Sequence, residues 1–351
     1  MSVKSIKVEN FTVFDKIAMD FSPGVNLFIG ENGTGKTHLL KILYAASKTE
    51  IDAQLSLFDY DVNGNYVHTN NTFIEEIYPL FNSPSDGTLA NLIKFNSISN
   101  DTANIIVEFF NKKAFIVNVS DMNFIKHTNH PGGKYKIIEN DSIFIPAKDM
   151  LAHSGIENDF IKRRLPFDDT HINILNDLKV SKLREHDKSV ELLINKLQDA
   201  IGGELIYKSG EYFINKENNE LNISLEAEGY KKLAVIYRAL ETGYLQPGSI
   251  LFWDEPESNI NPKIIPLLVD VLFSLSHHGV QIFLSTHDYM FAKYFELKNV
   301  ENNIIFFHSL YKTETGVALE SNYNFRDLKN NPIIESFDKL MNEVFNNNLG
   351  D

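Results

Sequence analysis

The segment from Gly30 to Thr37 places the strongest constraint on this chain. It reads Gly-Glu-Asn-Gly-Thr-Gly-Lys-Thr and matches the pattern G-x-x-x-x-G-K-S/T, in which glycines let backbone N–H groups turn inward around a phosphate. The apolar run Val25–Ile29 predicts a strand before the pattern, and a helical pattern from Thr37 to Ala46 follows it. A helix N-terminus after such a turn favours anions. The segment therefore predicts a P-loop, with a chance match as the alternative.

Each position of this P-loop has an expected role toward a nucleoside triphosphate. Lys36 would reach the β- and γ-phosphates, and the Thr37 hydroxyl would hold Mg²⁺. The other residues expected to contact the nucleotide from this segment are Asn32, Gly33, Thr34, Gly35 and His38. Phe14, in the β-rich stretch before the loop, either stacks on the adenine or is a core aromatic, and the sequence leaves both readings open.

Composition restricts the class of protein. Of the 351 residues, 43% are hydrophobic and 23% are charged, close to the averages of globular domains. No apolar run reaches the length of a membrane span, and cysteine is absent, so we expect a cytoplasmic protein without a membrane partner, disulfides or thiolate metal sites. The net charge of −14 gives no support to nucleic-acid binding, although a local basic groove, for example around Lys162–Arg164, stays open beside the reading of that run as a solvated surface.

Two later apolar runs end in polar residues. Ile250–Trp253 leads into Asp254 and Glu255, as in a buried strand that delivers two carboxylates to its carboxyl end. Buried neighbouring carboxylates are costly without a cation, so Asp254 is expected to orient Mg²⁺ and Glu255 to polarise an attacking water. The run Gln281–Thr286 ends at His287, which can hydrogen-bond a γ-phosphate. The alternatives are an acidic surface turn and a structural histidine.

The P-loop, the acidic strand end and the histidine, in this order, resemble the ATP-binding cassette (ABC) ATPase superfamily. Within it, Asp254–Pro262 resembles the version found in RecF-like, SMC-like and OLD-like ATPase heads. The resemblance implies an α/β fold of the P-loop NTPase type, with a mixed central sheet, a β-rich N-terminal lobe and a short helical insertion. We accordingly divide the chain into an N-terminal ATPase lobe (1–150), a helical arm with a β insertion (151–225) and a C-terminal ATPase lobe (226–351).

The resemblance also implies two loops beside the nucleotide. The D-loop would be Ser258–Asn261, with Asn261 at the position where the family usually has an aspartate that contacts the site. The Q-loop would follow the predicted strand 142–146, but no glutamine stands there. Lys148 or Asp149 would have to replace it, or its role is lost.

A signature motif is implied at Glu226–Leu233, where it would complete the nucleotide site of a second subunit through Glu228, Gly229 and Lys231. Glu228 stands where the family usually has a serine. A carboxylate repels a triphosphate unless a proton or the neighbouring Lys231 and Lys232 offset its charge. We therefore expect slow turnover.

Hydrophobic periodicity predicts the remaining elements. Residues 105–119 form two alternating runs that indicate a hairpin, and apolar spacing predicts a helical arm over 171–201 that ends at Gly202. His127 and His130 are read as loop histidines rather than a metal pair. The other predicted elements are helical pieces near 73–81 and 89–93, β-rich segments over 204–224, C-terminal strands near 304–307 and 317–319, and a final helix over 332–345.

The leading functional hypothesis is an Mg²⁺-dependent ATPase that dimerises head-to-tail on ATP, with Lys36, Glu255 and His287 as catalytic residues. Its hydrolysis would control a separate effector such as a nuclease or toxin, as in bacterial anti-phage systems. The alternatives are an ATP-sensing scaffold with little turnover and a RecF- or SMC-like DNA-repair ATPase, which would bind DNA in a salt-sensitive way. A kinase is a weaker alternative, because Glu255 with His287 suits the activation of water.

Overall fold

The computed structural model describes residues 2–55, 77, 80–81, 92, 102–111, 114–120, 142–154, 156, 167–216, 219–299, 303–314 and 316–348. The loop histidines His127 and His130 and the run Lys162–Arg164 lie outside the described residues, as do almost all of the helical pieces predicted near 73–81 and 89–93. Within the part described, no helix is both long enough and apolar enough to cross a membrane.

The described elements are thirteen strands and seven α-helices, with several strands in consecutive runs. The strands are β1 (Val3–Phe11), β2 (Phe14–Asp20), β3 (Val25–Gly30), β4 (Thr102–Phe109), β5 (Ala114–Ser120), β6 (Ser142–Ile145), β7 (Glu204–Lys208), β8 (Glu211–Lys216), β9 (Asn219–Asn222), β10 (Ile250–Asp254), β11 (Gln281–Thr286), β12 (Ile305–Thr313) and β13 (Gly316–Asn322). The helices are α1 (Lys36–Leu55), α2 (Asp169–Leu178), α3 (Lys188–Ile201), α4 (Glu228–Glu241), α5 (Ile265–His277), α6 (Tyr289–Lys298) and α7 (Pro332–Asn348).

A six-stranded sheet with the order β13-β12-β3-β11-β10-β6 forms the centre of the fold. Its neighbours pair in parallel, except that β13 pairs antiparallel with β12. The mixed central sheet is therefore confirmed. Because parallel strands end at the same edge of a sheet, β3, β10 and β11 bring the P-loop, Asp254 and His287 to one edge.

Both faces of the central sheet are covered, which explains why its strands are apolar almost throughout. Alternate residues of β10 enter different cores: Ile250 and Phe252 pack with α1 and a four-stranded antiparallel sheet, whereas Leu251 and Trp253 pack with α2 to α6. The four-stranded sheet has the order β2-β1-β4-β5 and forms the β-rich N-terminal lobe, which confirms the predicted hairpin over 105–119. Strands from residues 1–150 and from 226–351 share the central sheet, so the proposed division of the chain stays a prediction.

The predicted helical arm over 171–201 consists of two helices, α2 and α3, with a non-helical segment between them. The Leu178 carbonyl would accept a backbone N–H if α2 continued. Instead it accepts hydrogen bonds from Arg238 Nε and from the Tyr212 hydroxyl, both at 2.9 Å. Arg238 also donates to the Val180 carbonyl at 2.8 Å, which holds the chain in a non-helical path. The stop at Gly202 is confirmed, because Gly202 caps α3 with a φ of 80°.

Candidate active site

The P-loop joins the end of β3 to the start of α1, as its sequence predicts. Gly33 and Gly35 have φ values of 78° and 87°, in the region that favours glycine. At Gly35 the neighbours add a second requirement, because a Cβ atom there would lie 2.4 Å from Cζ of Phe14. A Cβ at Gly33 would meet no atom within 4 Å. The loop therefore keeps an open side at Gly33 and a side packed against the β1–β2 turn at Gly35.

Lys36 lies across the mouth of this loop. Its Nζ donates to the carbonyls of Gly30 at 2.8 Å and Glu31 at 2.9 Å, and the residue is 7% exposed. Burial lowers the pKa of the Lys36 ammonium, while the carboxylates of Glu255 and Asp254 act in the opposite direction. The buried Thr34 donates its hydroxyl to the same Glu31 carbonyl at 2.9 Å, so Thr34 supports the loop. Asn32 is exposed on the open side.

Thr37 and Asp254, the two predicted Mg²⁺ ligands, lie in contact. The Thr37 hydroxyl donates to the Asp254 carboxylate at 2.9 and 3.1 Å, and Ser285 donates to the same carboxylate. Hydroxyl and carboxylate oxygens are hard ligands that suit Mg²⁺. Among the described residues no cluster of three His, Cys, Asp or Glu side chains could hold a metal, so water and phosphate oxygens would complete the coordination shell. The donor set fits an ion that is shared with a nucleotide.

Glu255 and His287, which are 32 positions apart in the sequence, meet at the same edge of the sheet. His287 Nδ1 lies 3.2 Å from Glu255 Oε1, and both side chains are partly exposed. Glu255 has a φ of 46°, which is strained for a residue with a Cβ. Its backbone N–H donates to the Ser285 carbonyl at 3.1 Å, which holds the turn in place. The structure thus brings the predicted water-activating pair together.

Lys232 stabilises this turn from the signature helix α4. Its Nζ donates to the Glu255 carbonyl at 2.9 Å, to the Pro256 carbonyl at 3.2 Å and to the Ser258 hydroxyl at 2.6 Å. Lys232 is 4% exposed, and burial lowers the pKa of its ammonium to about 8. Lys232 was considered together with Lys231 as a possible offset to the charge of Glu228, but its hydrogen bonds go to the turn after β10.

Replacement of Lys232 by methionine is expected to lower the free energy of unfolding by at least about 2 kcal/mol, because three acceptors, one buried and two partly buried, lose their donor. Urea denaturation followed by circular dichroism measures this change. Lys231→Met is the matched control, since its ion pair involves the half-exposed Glu228 and contributes at most about 1 kcal/mol. Equal losses in the two variants would contradict the role given to Lys232.

The signature residues have contacts within their own subunit. Lys231 Nζ lies 2.8 Å from Glu228 Oε1, so Lys231 makes the direct ion pair that offsets the Glu228 charge. A Cβ atom at the buried Gly229 would lie 3.0 Å from Cδ1 of Ile264, which gives this glycine a packing role. Asn261 is exposed, and its side chain accepts the Lys263 N–H at 3.0 Å, which caps the short turn after the D-loop. Their contact with a second subunit's nucleotide stays a prediction.

Phe14 and His38 do not offer the nucleotide contacts that the sequence analysis considered. Phe14 is 0% exposed, with its ring against Gly35, so the structure supports the reading of a core aromatic instead of one that stacks on adenine. His38 points into the protein, where its ring centroid lies 5.2 Å from that of Phe81. Burial lowers the pKa of His38 to about 4, so it is a neutral packing residue near pH 7.

Lys148 and Asp149, the two candidates for the Q-loop position, contact different parts of the protein. Lys148 Nζ lies 4.5 Å from the ring centroid of Phe167. Asp149 accepts the backbone N–H groups of Leu151 at 3.1 Å and Ala152 at 3.3 Å, at the start of the 3₁₀ turn Leu151–His153. Burial raises the pKa of the Asp149 carboxyl. These contacts give Asp149 a structural role after β6.

Glu257 is a buried acid to which the sequence patterns gave no role. It is 8% exposed, and its Oε1 accepts the Thr286 hydroxyl at 2.6 Å, while Oε2 has no hydrogen-bond partner among the described residues. Burial raises the pKa of Glu257 to about 7. The sequence contains one hint of this role. Glu257 lies two positions after Glu255, in a segment that leads back to the core at Ile265. Its burial depends on the distant β11.

The raised pKa of Glu257 predicts a pH-dependent stability. The folded protein binds this proton more tightly than the unfolded chain, so the contribution of Glu257 falls as pH rises from about 4.5 to about 7. Glu257→Gln is therefore expected to raise the free energy of unfolding at pH 8 by up to about 3 kcal/mol and to leave it nearly unchanged at pH 5. Urea denaturation at the two pH values checks this. Asp270→Asn, at a surface acid, should show no such difference, and a gain of equal size at both pH values would contradict the prediction.

Comparison with known proteins agrees with this site. Residues 110–291, just over half of the 351 residues, match the family described as "AAA domain, putative AbiEii toxin, Type IV TA system". The chain belongs to this AAA family. Residues 1–141, which contain the P-loop of this AAA protein, match a second family described as "AAA ATPase domain". The resemblance to RecF- and SMC-like ABC-type ATPase heads is thereby confirmed.

Individual relatives of this AAA protein support the same class. The "DNA replication and repair protein RecF" of Clostridioides difficile is 22% identical over 360 residues, which cover 86% of this chain and 95% of the relative. RecF of Clostridium botulinum (strain Langeland) is 25% identical over 146 residues, 40% of this chain and 38% of that relative's length. This chain thus spans less than half of the C. botulinum relative in that match.

Solved structures show the fold. The SMC head domain from Thermotoga maritima is 14% identical with a TM-score of 0.50, and the match covers 92% of this chain and 99% of that one. An Smc head domain from Pyrococcus furiosus, with an extended coiled coil and bound to the C-terminal domain of ScpA, is 12% identical with a TM-score of 0.50 over 98% and 99% of the two chains. The AAA protein therefore has the fold of an SMC head.

Proposed function

We propose that this AAA protein hydrolyses ATP to ADP and phosphate with Mg²⁺, and that hydrolysis opens a head-to-tail dimer that controls a separate effector protein. The observation that carries the proposal is the meeting of three groups at one edge of the central sheet. These are the P-loop with Lys36, the Thr37–Asp254 pair, and the Glu255–His287 pair at 3.2 Å. Family membership supports the ATPase class, and the dimer and its effector are parts of the proposal.

Each group has a defined task in this proposal. Lys36 would leave the Gly30 and Glu31 carbonyls to neutralise phosphate charge. Thr37 and Asp254 would hold Mg²⁺, which when bound neutralises charge on the β- and γ-phosphates. Glu255 accepts the proton of the attacking water, and His287 orients the Glu255 carboxylate through the contact at Oε1. The hydrogen bonds of Lys232 hold the strained turn at Glu255 in place.

The signature residues would complete the site of the second subunit. Because Lys231 pairs with Glu228, the segment offered to the partner's nucleotide carries little net charge. A serine hydroxyl would donate a hydrogen bond to phosphate, and Glu228 cannot do this when ionised. The low net charge supports closure of the dimer on ATP, and the missing hydroxyl donor supports slow turnover. The matched family description names a putative toxin of a Type IV TA system, and the anti-phage role is part of the proposal.

The experiment that tests the proposal measures phosphate release together with mass by sedimentation, with and without ATP and Mg²⁺. We expect slow hydrolysis, a dimer with ATP, and neither in Lys36→Ala, which should keep its fold. A monomer in ATP would contradict the dimer, and the absence of hydrolysis in the wild-type protein would leave an ATP-sensing scaffold as the function.

A RecF-like DNA-repair ATPase is the second candidate, favoured by the match to C. difficile RecF over 86% of this chain. It predicts DNA binding that weakens steeply with salt. The net charge of −14 favours the effector reading instead. Fluorescence anisotropy with labelled duplex DNA at two salt concentrations separates the two.

A further inference from the structure

A cleft of about 540 Å³ opens beside the P-loop and is closed on its far side by α7. One wall is polar and belongs to the candidate active site, with Glu31, Glu257 and Asp288. The other wall is apolar, with Tyr289, Ile333, Phe337 and Leu340. The rings of Tyr289 and Phe337 stack with centroids 4.0 Å apart, so this wall is rigid. The cleft thus combines carboxylates with an apolar surface.

The apolar wall continues beyond the cleft along α7. Leu340, Met341, Val344 and Phe345 are 54%, 50%, 45% and 63% exposed and lie on one face of the helix, at spacings of three and four residues. Isolated exposed apolar side chains are common, but a continuous stripe of them is typical of an interaction surface. In the part of the chain that the structure describes, these four side chains stay largely exposed.

The charges around this stripe select the kind of partner. The sequence of α7 has the acids Glu335, Asp338 and Glu343 and the single base Lys339. Two copies of α7 packed on each other would bring these carboxylates together, which disfavours a second copy as the occupant. The acids of α7 would also repel phosphate groups from this helix face. A basic, apolar helix complements both the stripe and the acids.

Glu257 gives the cleft a specific contact for a cation. Its carboxylate is more than nine-tenths buried, lines the cleft, and has an oxygen, Oε2, without a partner in the described part of the chain. A buried polar atom without a hydrogen bond is costly, so a Lys or Arg side chain that enters the cleft would be bound there. The Thr286 hydroxyl binds the other oxygen, next in sequence to His287.

We propose that the cleft and the exposed face of α7 dock an amphipathic helical segment of a separate protein, apolar on one face and carrying Lys or Arg toward Glu257. This docking site would be the place where the proposed effector binds. Only the link between docking and ATP hydrolysis rests on the proposed function. Docking beside Glu257 and His287 would let the partner respond to the state of the active site.

The test uses the full chain without nucleotide and a fluorescent synthetic peptide of Leu and Lys at helical spacing, matched in length to α7. The control peptide has Glu in place of every Lys. Fluorescence anisotropy should show binding of the Leu–Lys peptide only. We expect Leu340→Ser with Phe345→Ser to weaken binding at least about tenfold, and Glu257→Gln to weaken it about fivefold.

Matched controls separate this site from general attraction to an acidic protein. Leu192→Ser and Leu225→Ser remove apolar side chains that are 70% and 73% exposed on other elements, and should leave the affinity unchanged. Circular dichroism of each variant excludes unfolding. Equal weakening by these controls, or equal binding of the Leu–Glu peptide, would overturn the proposal.

Two further outcomes are decisive. If the wild-type chain self-associates without peptide, and Leu340→Ser with Phe345→Ser abolishes that association, the face belongs to a second copy and the proposal is wrong.

Lys36→Ala should bind the Leu–Lys peptide as the wild type does. A failure of the proposed hydrolysis would therefore leave this binding test intact, and the two proposals can fail separately.

Discussion

Glu255→Gln is expected to lower the rate of ATP hydrolysis at least about 100-fold while ATP binding is retained. The amide has nearly the shape of the carboxylate, so the turn at φ 46° and the Lys232 contact with the Glu255 carbonyl should persist. Glutamine cannot accept the proton of the attacking water. Single-turnover hydrolysis measures the rate. The sole tryptophan, Trp253, is 0% exposed and directly precedes Asp254, so its fluorescence reports nucleotide binding in the same sample.

Asp270→Asn controls for the loss of one negative charge, because Asp270 is a surface acid paired with Lys196 and Lys298. Its hydrolysis rate should equal that of the wild type. If Glu255→Gln hydrolyses ATP at an undiminished rate in a single turnover, Glu255 is not the catalytic residue. If ATP binding is lost together with hydrolysis, the substitution has disturbed the site and the role of Glu255 as a base loses its support.

The second large effect is expected at Gly35. Gly35→Ala introduces a Cβ at a φ of 87° and within 2.4 Å of Phe14 Cζ. The conformational strain costs about 1 kcal/mol and the overpacking about 1–3 kcal/mol, so the free energy of unfolding should fall by about 2–4 kcal/mol. Because the P-loop backbone must shift, ATP affinity should fall at least about tenfold. Urea denaturation and Trp253 fluorescence measure the two effects.

Gly33→Ala is the matched control for this prediction. Gly33 has a similar φ of 78°, but its Cβ would meet no atom within 4 Å. Gly33→Ala should therefore lower the free energy of unfolding only by the conformational strain, about 1 kcal/mol. Phe14→Leu in the Gly35→Ala background removes the clashing Cζ and should recover part of the loss. Equal destabilisation by the two glycine substitutions would show that Phe14 does not constrain the loop.

The sequence predicted those parts of the site that depend on local order. The P-loop is a contiguous strand, turn and helix, Asp254 ends the strand β10, and Glu255 and His287 directly follow strands. Parallel pairing then brings those strand ends together without any further information. The hairpin over 105–119 was predictable for the same reason, since alternation is a local signal, whereas the mixed central sheet was expected from the resemblance to ABC ATPases.

What the sequence could not supply depends on contacts between distant segments. Phe14 is a core residue because Gly35 packs on its ring, and the helical arm is interrupted because Arg238 and Tyr212 take the Leu178 carbonyl. The sequence did not reveal the hydrogen bonds of Lys232, because its acceptors lie in the distant turn after β10. The burial of Glu257 likewise requires β11, which no local pattern around Glu257 reveals.

The position of β3 in the central sheet has a consequence for the order in which the protein can form. Both strands that pair with β3, β11 and β12, lie after residue 280. During synthesis, the P-loop is therefore made long before the strands that support it have left the ribosome. The closure of so long a chain segment is slow, and the strand edges of β3 stay open until it occurs. Nucleotide binding by this ATPase becomes possible only after the segment through β12 has been made.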